Sequence, residues 1–448
     1  MSAAELGYDA VVIGAGTAGL TAACRLAEEG ARVCVLAKGI GCTHLAAGTV
    51  DVLGYLPEAA AEPAPRQRPT GGPTAALVRE PAAALPRLLA ALPEHPYART
   101  GRAALEEALA WLARTVLAGP LPGYRYLGGL ERNRLLPTAL GGLRPSALIP
   151  ETFAAGDASA LRRVAIVGSP ALRDFHPRLC AENLRRTGVQ ARPLSVPLEF
   201  DRADASTLTL ARRLDDRAFR ARLCAELTPL LRDEEQVALP AALGLRDPHA
   251  VWSDLERRLG RAVFEIPTLP PSVPGMRLFE ILSSALRRAG GRLALGAEVI
   301  GAQRRGARVH SVSVRAAGHE RRYAAEVFVL ASGGLASGAI ELDSRWRASE
   351  RVLGLALEGL PSAGERRFSP DYFGEHPFAR VGVALGPQLW AREVENVLVA
   401  GAALPGALPW REGSGEGIAL ASGYRAAQLA IEAAGLARPA RSPAGAVL

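Results

Sequence analysis

The chain has 448 residues and a mass of 47.0 kDa, with 49% hydrophobic and 22% charged residues. That composition excludes a disordered or fibrous protein, and the length implies more than one domain, since single cores stop growing at about 250–300 residues. The net charge of +8 comes from arginine spread along the chain, with Lys38 the only lysine. The absence of a clustered basic stripe interleaved with aromatics argues against a nucleic-acid reader.

The first elements form a βαβ pattern between Tyr8 and Val35: YDAVVIGAG, then TAGLTAACRLAEEGA, then RVCVLA. Gly14-x-Gly16-x-x-Gly19 sits between the first strand and the helix, the context in which a glycine trio binds phosphate. Gly14 permits the tight turn, Gly16 lets backbone approach a phosphate, and Gly19 lets helix and strand pack closely. Gly14, Ala15, Gly16, Thr17, Ala18 and Gly19 are therefore expected to contact a cofactor. The second strand ends in Ala37-Lys38, where a dinucleotide fold normally places an acid on a ribose hydroxyl. Two readings follow: an adenine dinucleotide held by other contacts, or a cofactor that stops at one phosphate, which Lys38 would suit.

The next stretch, GCTHLAAGTVDVL (41–53), is rich in small residues that let backbone lie against a planar ring. Gly48 and Thr49 are expected cofactor contacts, and His44 is a candidate for hydrogen bonding the cofactor or acting on substrate. Residues 56–74, rich in Pro, Ala and Gly, read as a linker or surface loop. In the middle of the chain, RRVAIVG (162–168), the helical PRLCAENLRRTG and the apolar run at 236–245 imply a separate small α/β sheet. Arg144, in LLPTALGGLRPSALIP, and Arg277, in PTLPPSVPGMRL, sit in rigid loops. Such arginines suit a phosphate or carboxylate substrate, which guanidinium binds in bidentate fashion.

From 274 to 334 the order is helix, strand, polar hairpin strands and an apolar strand that closes in Ala331-Ser332-Gly333-Gly334. NVLVAGAAL then supplies another apolar strand, and REGSGEG (411–417) leads into an amphipathic helix. Gly333, Gly401, Gly415 and Gly417 complete the expected cofactor contacts. The helix start at 415–417 suits the electron-rich edge of a reduced flavin. Two separated glycine loops favour a flavin over a nicotinamide fold.

The five cysteines form no C-x-x-C pair, which points to a reducing compartment and away from structural zinc or an iron–sulfur cluster, so no metal is expected. The first residues enter a fold motif directly and no apolar run approaches about 20 residues, so neither an export leader nor a membrane span is expected. A cytoplasmic protein follows, reaching the membrane's inner face only through a partner.

The stretches VVIGAGTAGL, THLAAGTVDVL, EHPYARTG, LPTALGGLRPS, PAALGL, IPTLPPSVPGMRL, VFVLASGG and NVLVAGAAL run in order along almost the whole chain. Together they resemble the B subunit of anaerobic glycerol-3-phosphate dehydrogenase, a family related to the succinate dehydrogenase and fumarate reductase flavoproteins. The resemblance implies a subunit carrying FMN that works with a larger FAD-containing subunit, an iron–sulfur subunit anchoring both to the membrane. The reaction implied is oxidation of sn-glycerol 3-phosphate to dihydroxyacetone phosphate, with electrons passed to quinone. FMN fits the missing acid at Ala37, and FAD is the alternative. The chain departs from the family at Glu416, where a small residue is expected, and at Ala402, where related FAD proteins place an acid. Two other readings are a stand-alone FAD-dependent fumarate-reductase-like enzyme and a non-catalytic electron-transfer subunit.

The expected architecture is an α/β, Rossmann-like FAD/NAD(P)-binding flavoprotein fold with an inserted capping or substrate domain. Residues 1–55 and 272–448 would form the flavin-binding domain, with 346–379 assignable to either part, and 56–271 the insertion. Hydride transfer to the flavin would be the chemistry, the protein supplying position and electrostatics.

Overall fold

In the computed structural model the described residues are 5–57, 60, 76–198, 200, 205–233, 235–362, 364–365, 367–368 and 374–435. The linker expected at 56–74 falls almost entirely outside them. The chain begins with strand β1 (Glu5–Ile13), helix α1 (Thr17–Glu28) and strand β2 (Val33–Ala37). Every residue of β2 is buried, as a continuous apolar run in a covered parallel sheet requires.

Between β2 and the return of the chain at residue 273 lies a second α/β unit. A hairpin of β3 (Arg134–Pro137) and β4 (Leu143–Ser146) precedes four strands: β5 (Arg163–Gly168), β6 (Gln190–Ser195), β7 (Gln236–Pro240) and β8 (Val263–Ile266). These four pair in the order β6-β5-β7-β8, all parallel. The separate sheet expected in the middle of the chain is thus present. Helices before it and within it include α2 (Arg102–Leu117), Pro177–Arg185 and Pro248–Leu259.

The chain returns through helix α3 (Val273–Arg288), whose N-cap Ser272 accepts a hydrogen bond from Gly275 N at 3.1 Å. Strands β9 (Arg292–Leu295), β10 (Glu298–Arg305), β11 (Arg308–Ala316), β12 (His319–Leu330) and β13 (Val397–Val399) follow, and α4 (Gly415–Ala434) is the last described helix. The large sheet runs β9-β2-β1-β12-β11-β10, with β13 beside the far end of β12. β9, β2, β1, β12 and β13 are mutually parallel, whereas β10 to β12 form an antiparallel meander. The carboxyl ends of β1, β2, β12 and β13 therefore open at one edge, where ligands bind in open α/β sheets.

Helices α1 and α4 cross closely over this sheet because small residues meet at the crossing. A Cβ on Gly423 would lie 2.3 Å from the carbonyl oxygen of Ala18. That approach sets the N-termini of both helices beside the carboxyl ends of the strands.

Candidate functional site

The glycine turn after β1 is shaped by contacts on one side and left open on the other. Gly14 has φ +114°, and a Cβ there would sit 2.1 Å from Ala331 O at the end of β12. A Cβ on Gly19 would sit 2.0 Å from Gly14 O, so the helix rests directly on the turn. A Cβ on Gly16 would meet nothing within 4 Å. Gly16 is also the N-cap of α1, with no side chain capping it, so the first N–H groups of the helix face that open side. An uncapped helix start beside an open backbone has the form that suits a phosphate, and it is built from residues of the glycine motif.

The loop after β2 leans on the start of α3. A Cβ on Gly275 would lie 2.2 Å from Thr43 O, and one on Gly48 would lie 2.3 Å from Pro274 Cβ. Ser272 N donates to His44 O at 2.9 Å. The His44 ring packs edge-on against Phe279 with centroids 4.8 Å apart, and burial lowers its pKa, favouring the neutral imidazole. Its Nε2 is buried without a hydrogen-bond partner, as is Ser332 Oγ at the end of β12. Two such orphaned polar atoms flanking the cradle fit a polar, planar cofactor that would satisfy them.

The third wall is acidic. Glu416, on the first turn of α4, accepts a hydrogen bond from Thr17 Oγ1 at 2.9 Å, and Thr17 Oγ1 lies 3.2 Å from Thr43 Oγ1. Beside it, buried Asp51 accepts from Thr49 Oγ1 at 2.9 Å and from Ser146 Oγ at 2.6 Å, and Arg144 forks onto its other oxygen. Burial raises the Glu416 carboxyl above its ordinary range, and Asp51 adds to the rise while Thr17 and Arg144 oppose it. The β3–β4 hairpin thus delivers Arg144 and Ser146 to the same cluster as α1, α4 and the loop after β2.

Several expected contacts have other uses. Arg277 is not a ligand group: its side chain and that of Glu265 are both 0% exposed, and Nη1 and Nη2 donate to the Glu265 carboxylate at 2.8 and 3.0 Å. Nε and Nη2 also donate to Gly244 O at 3.0 and 2.7 Å, so the guanidinium pins α3 to the smaller sheet. The Thr49 hydroxyl serves Asp51. The N–H of Gly401 donates to Ser422 Oγ at 2.8 Å and that of Gly417 to Asp51 O at 3.0 Å, so neither N–H is free to donate to a cofactor. Gly417 is glycine because a Cβ would meet Tyr97 Oη at 2.3 Å. Gly333 (φ +94°) and Gly415 remain at the rim with partial or full exposure. Lys38 is exposed and pairs with Glu298 at 2.9 Å. Sequence reasoning did not single out Asp51, Thr43, Ser332 or Glu298. Asp51 was within reach, since it stands in the same short stretch as His44 and Thr49.

A family model described as FAD binding domain matches residues 9–418. A probable anaerobic glycerol-3-phosphate dehydrogenase B subunit of Halobacterium salinarum is 34% identical over 447 residues, covering 95% of this chain and 98% of that protein. The chain belongs to the family of anaerobic glycerol-3-phosphate dehydrogenase B subunits. Those of Pectobacterium atrosepticum (31% identical; 94% of this chain, 98% of that one) and Vibrio cholerae (29%; 94% and 96%) are further relatives. Among solved structures, Mycobacterium smegmatis Sdh1 in complex with UQ1 aligns at 12% identity with a TM-score of 0.39, over 98% of this chain and 70% of that one, too loose a likeness to argue from. Family membership makes the chain a flavin-dependent oxidoreductase subunit with a Rossmann-like FAD-binding fold, as the sequence resemblance implied. Membership of a multi-subunit dehydrogenase also implies partner subunits. No helix among the described residues is long and apolar enough to cross a membrane, and no group of metal-ligating side chains is present among them.

Proposed function

We propose that this chain is the flavoprotein subunit of a glycerol-3-phosphate dehydrogenase and that it holds FAD rather than FMN. The observation that carries the reading is the end-to-end likeness to its dehydrogenase relatives, 34% identity over 95% of the chain, joined to an open phosphate cradle at Gly14, Gly16 and the start of α1. FAD is favoured because the family model is an FAD binding domain. The acid missing at Ala37 has a replacement nearby: Glu298, at the start of β10, reaches the tip of β2, where its Oε1 accepts from Lys38 and its remaining acceptor capacity would serve ribose hydroxyls.

In this reading the first turn of α1 holds the pyrophosphate. His44 Nε2 and Ser332 Oγ gain partners from the flavin, and Asp51 with Arg144 borders the substrate side. When bound, the flavin supplies two-electron acceptance. The chain's own residues fix its orientation, keep the His44 imidazole neutral and set the charge around it. The described residues within 56–271 would act as the capping domain, its β3–β4 hairpin bringing Arg144 to the cleft. sn-Glycerol 3-phosphate would be oxidised to dihydroxyacetone phosphate, with electrons leaving through a larger FAD-containing subunit and an iron–sulfur membrane-anchoring subunit to quinone.

The test is to denature the purified chain, identify the released cofactor by mass, and assay glycerol 3-phosphate with a dye acceptor, alone and with the co-expressed partners. FAD and glycerol-3-phosphate-dependent dye reduction are expected. Turnover of a dicarboxylate but not of glycerol 3-phosphate, or failure to bind flavin after reconstitution, overturns the reading.

A further inference from the structure

Glu416 occupies a notch between two helix N-termini. It stands on the first turn of α4, its Oε2 accepts from the first residue of α1, Thr17, at 2.9 Å, and neither helix has a side-chain cap. Both helix ends place positive potential there, which favours one negative charge. The cation that acts on Glu416, Arg144, is committed to Asp51 and makes no ion pair with Glu416 among the described residues. The other ionisable groups that feel Glu416 are Asp51 and, from the capping unit, Tyr126, whose phenol is held neutral by burial. Glu416 as a residue is partly exposed and follows the exposed Gly415, so it stands at the rim of the cleft while its carboxyl is desolvated.

A flavin reduced by two electrons and one proton carries a negative charge that seeks the same positive notch. Two like charges sharing a partly dry site do not both persist, and the group with the weaker compensation takes up a proton. We propose that Glu416 is the proton-accepting partner of the bound flavin. Two electrons from the reductant and one proton add to the flavin, a second proton from solvent adds to a Glu416 carboxylate oxygen, and reduction leaves the net charge of the site unchanged. The inference rests on the reading that flavin occupies this cleft. The unexpected acid in the final glycine loop then has a use: it is a charge buffer where a small residue would leave the reduced flavin anionic.

The experiment uses the full chain with its flavin bound and measures the two-electron potential against pH with dithionite as reductant. Each coupled proton changes the equilibrium tenfold per pH unit, about 30 mV for a two-electron couple. The native chain is expected to follow the two-proton slope of about 60 mV per pH unit and Glu416→Gln the one-proton slope of about 30 mV. The reduced-minus-oxidised infrared spectrum supplies an independent readout. A protonated-carboxyl band should appear on reduction of the native chain and be missing in Glu416→Gln. If Glu416→Gln loses its flavin, the native spectrum and Glu416→Asp, which keeps the carboxyl, decide. Flavin bound with no carboxyl band, a band that persists in Glu416→Gln, or equal slopes overturns the inference alone. A chain that binds neither FAD nor FMN overturns the flavin reading as well.

Discussion

Replacing Arg277 by Met separates a structural arginine from a substrate-binding one. The guanidinium makes four hydrogen bonds at 2.7 to 3.0 Å, two to Glu265 and two to Gly244 O. Once it is gone, Glu265 keeps only Thr152 Oγ1 at 2.6 Å and Leu243 N at 2.7 Å, in a position with 0% exposure. Removing one partner of a buried pair costs about 3–5 kcal/mol, because the remaining charge is stranded away from water. At about 1.4 kcal/mol per tenfold, the folded-to-unfolded ratio should fall roughly 10²- to 4 × 10³-fold. Urea denaturation followed by tryptophan fluorescence reads this directly, since Trp252 donates to Val263 O on β8, the strand that carries Glu265. Arg277→Met with Glu265→Leu should recover only part of the loss, since it removes both buried charges but leaves Thr152 Oγ1, Leu243 N and Gly244 O without those partners. An Arg277→Met chain that unfolds within about 1 kcal/mol of the native one, yet binds an anionic substrate more weakly, would refute the reasoning.

Three further outcomes are expected. Gly423→Val should lower the thermal midpoint and release flavin, because a Cβ already 2.3 Å from Ala18 O forces α4 away from α1. Burial pushes the Glu412 carboxyl up, but donors from His95 Nε2, Leu408 N and Ser414 Oγ hold it below its ordinary range. Its stabilisation is complete above the ordinary carboxylate pKa of about 4.3 and is lost as pH falls through the lower folded value. The thermal-midpoint gap between native and Glu412→Gln chains should therefore be widest near neutrality and close in acid. Arg144→Ala should cost about 1–3 kcal/mol, since Arg144 is 45% exposed but its partner Asp51 is buried and keeps only the Thr49 and Ser146 hydroxyls. It should also weaken flavin retention on dialysis, because Asp51 and Glu416 would then share the cleft without a cation.

What the sequence made legible was local. The first glycine trio, the βαβ unit and the apolar strand ending in Gly333-Gly334 are written in short patterns of strand, turn and helix, and their places in the fold follow from them. Arg277 was misread because the proline-rich stretch PTLPPSVPGMRL discloses neither that Arg277 stands on α3 and not in a loop, nor what lies opposite it. A signal existed in its partner: Glu265 interrupts the apolar strand VFEI, and a charge buried in such a run demands a counterion. Gly401 and Gly417 look like ligand glycines, yet Ser422, Tyr97 and Asp51 fix them through contacts that only the folded chain creates. The placement of β12 between β1 and β11 was also beyond pattern reading, since residue 5 pairs with residue 322 across most of the sequence.

The ribose end of the cleft shows the same limit, and it yields a test of FAD against FMN. The tip of β2 carries Lys38 in place of an acid, but Ala297 N donates to Ala37 O at 2.9 Å, which seats the next residue, Glu298, beside that tip. Lys38 Nζ donates to Glu298 at 2.9 Å, and that contact holds the exposed carboxylate below its ordinary range, so it is charged at neutral pH. An acid on a neighbouring strand does for a ribose diol what one on β2 would do, because only the position of its oxygens matters to the hydroxyls. Glu298→Ala should therefore weaken FAD binding to the flavin-stripped chain several-fold and leave FMN binding unchanged, since FMN has no adenosine ribose. Lys38→Ala should act in the same direction, by loosening the carboxylate it holds. Fluorescence titration with the two flavins measures both constants, and an equal loss for FMN and FAD would show that Glu298 supports the fold of the tip without touching a ribose.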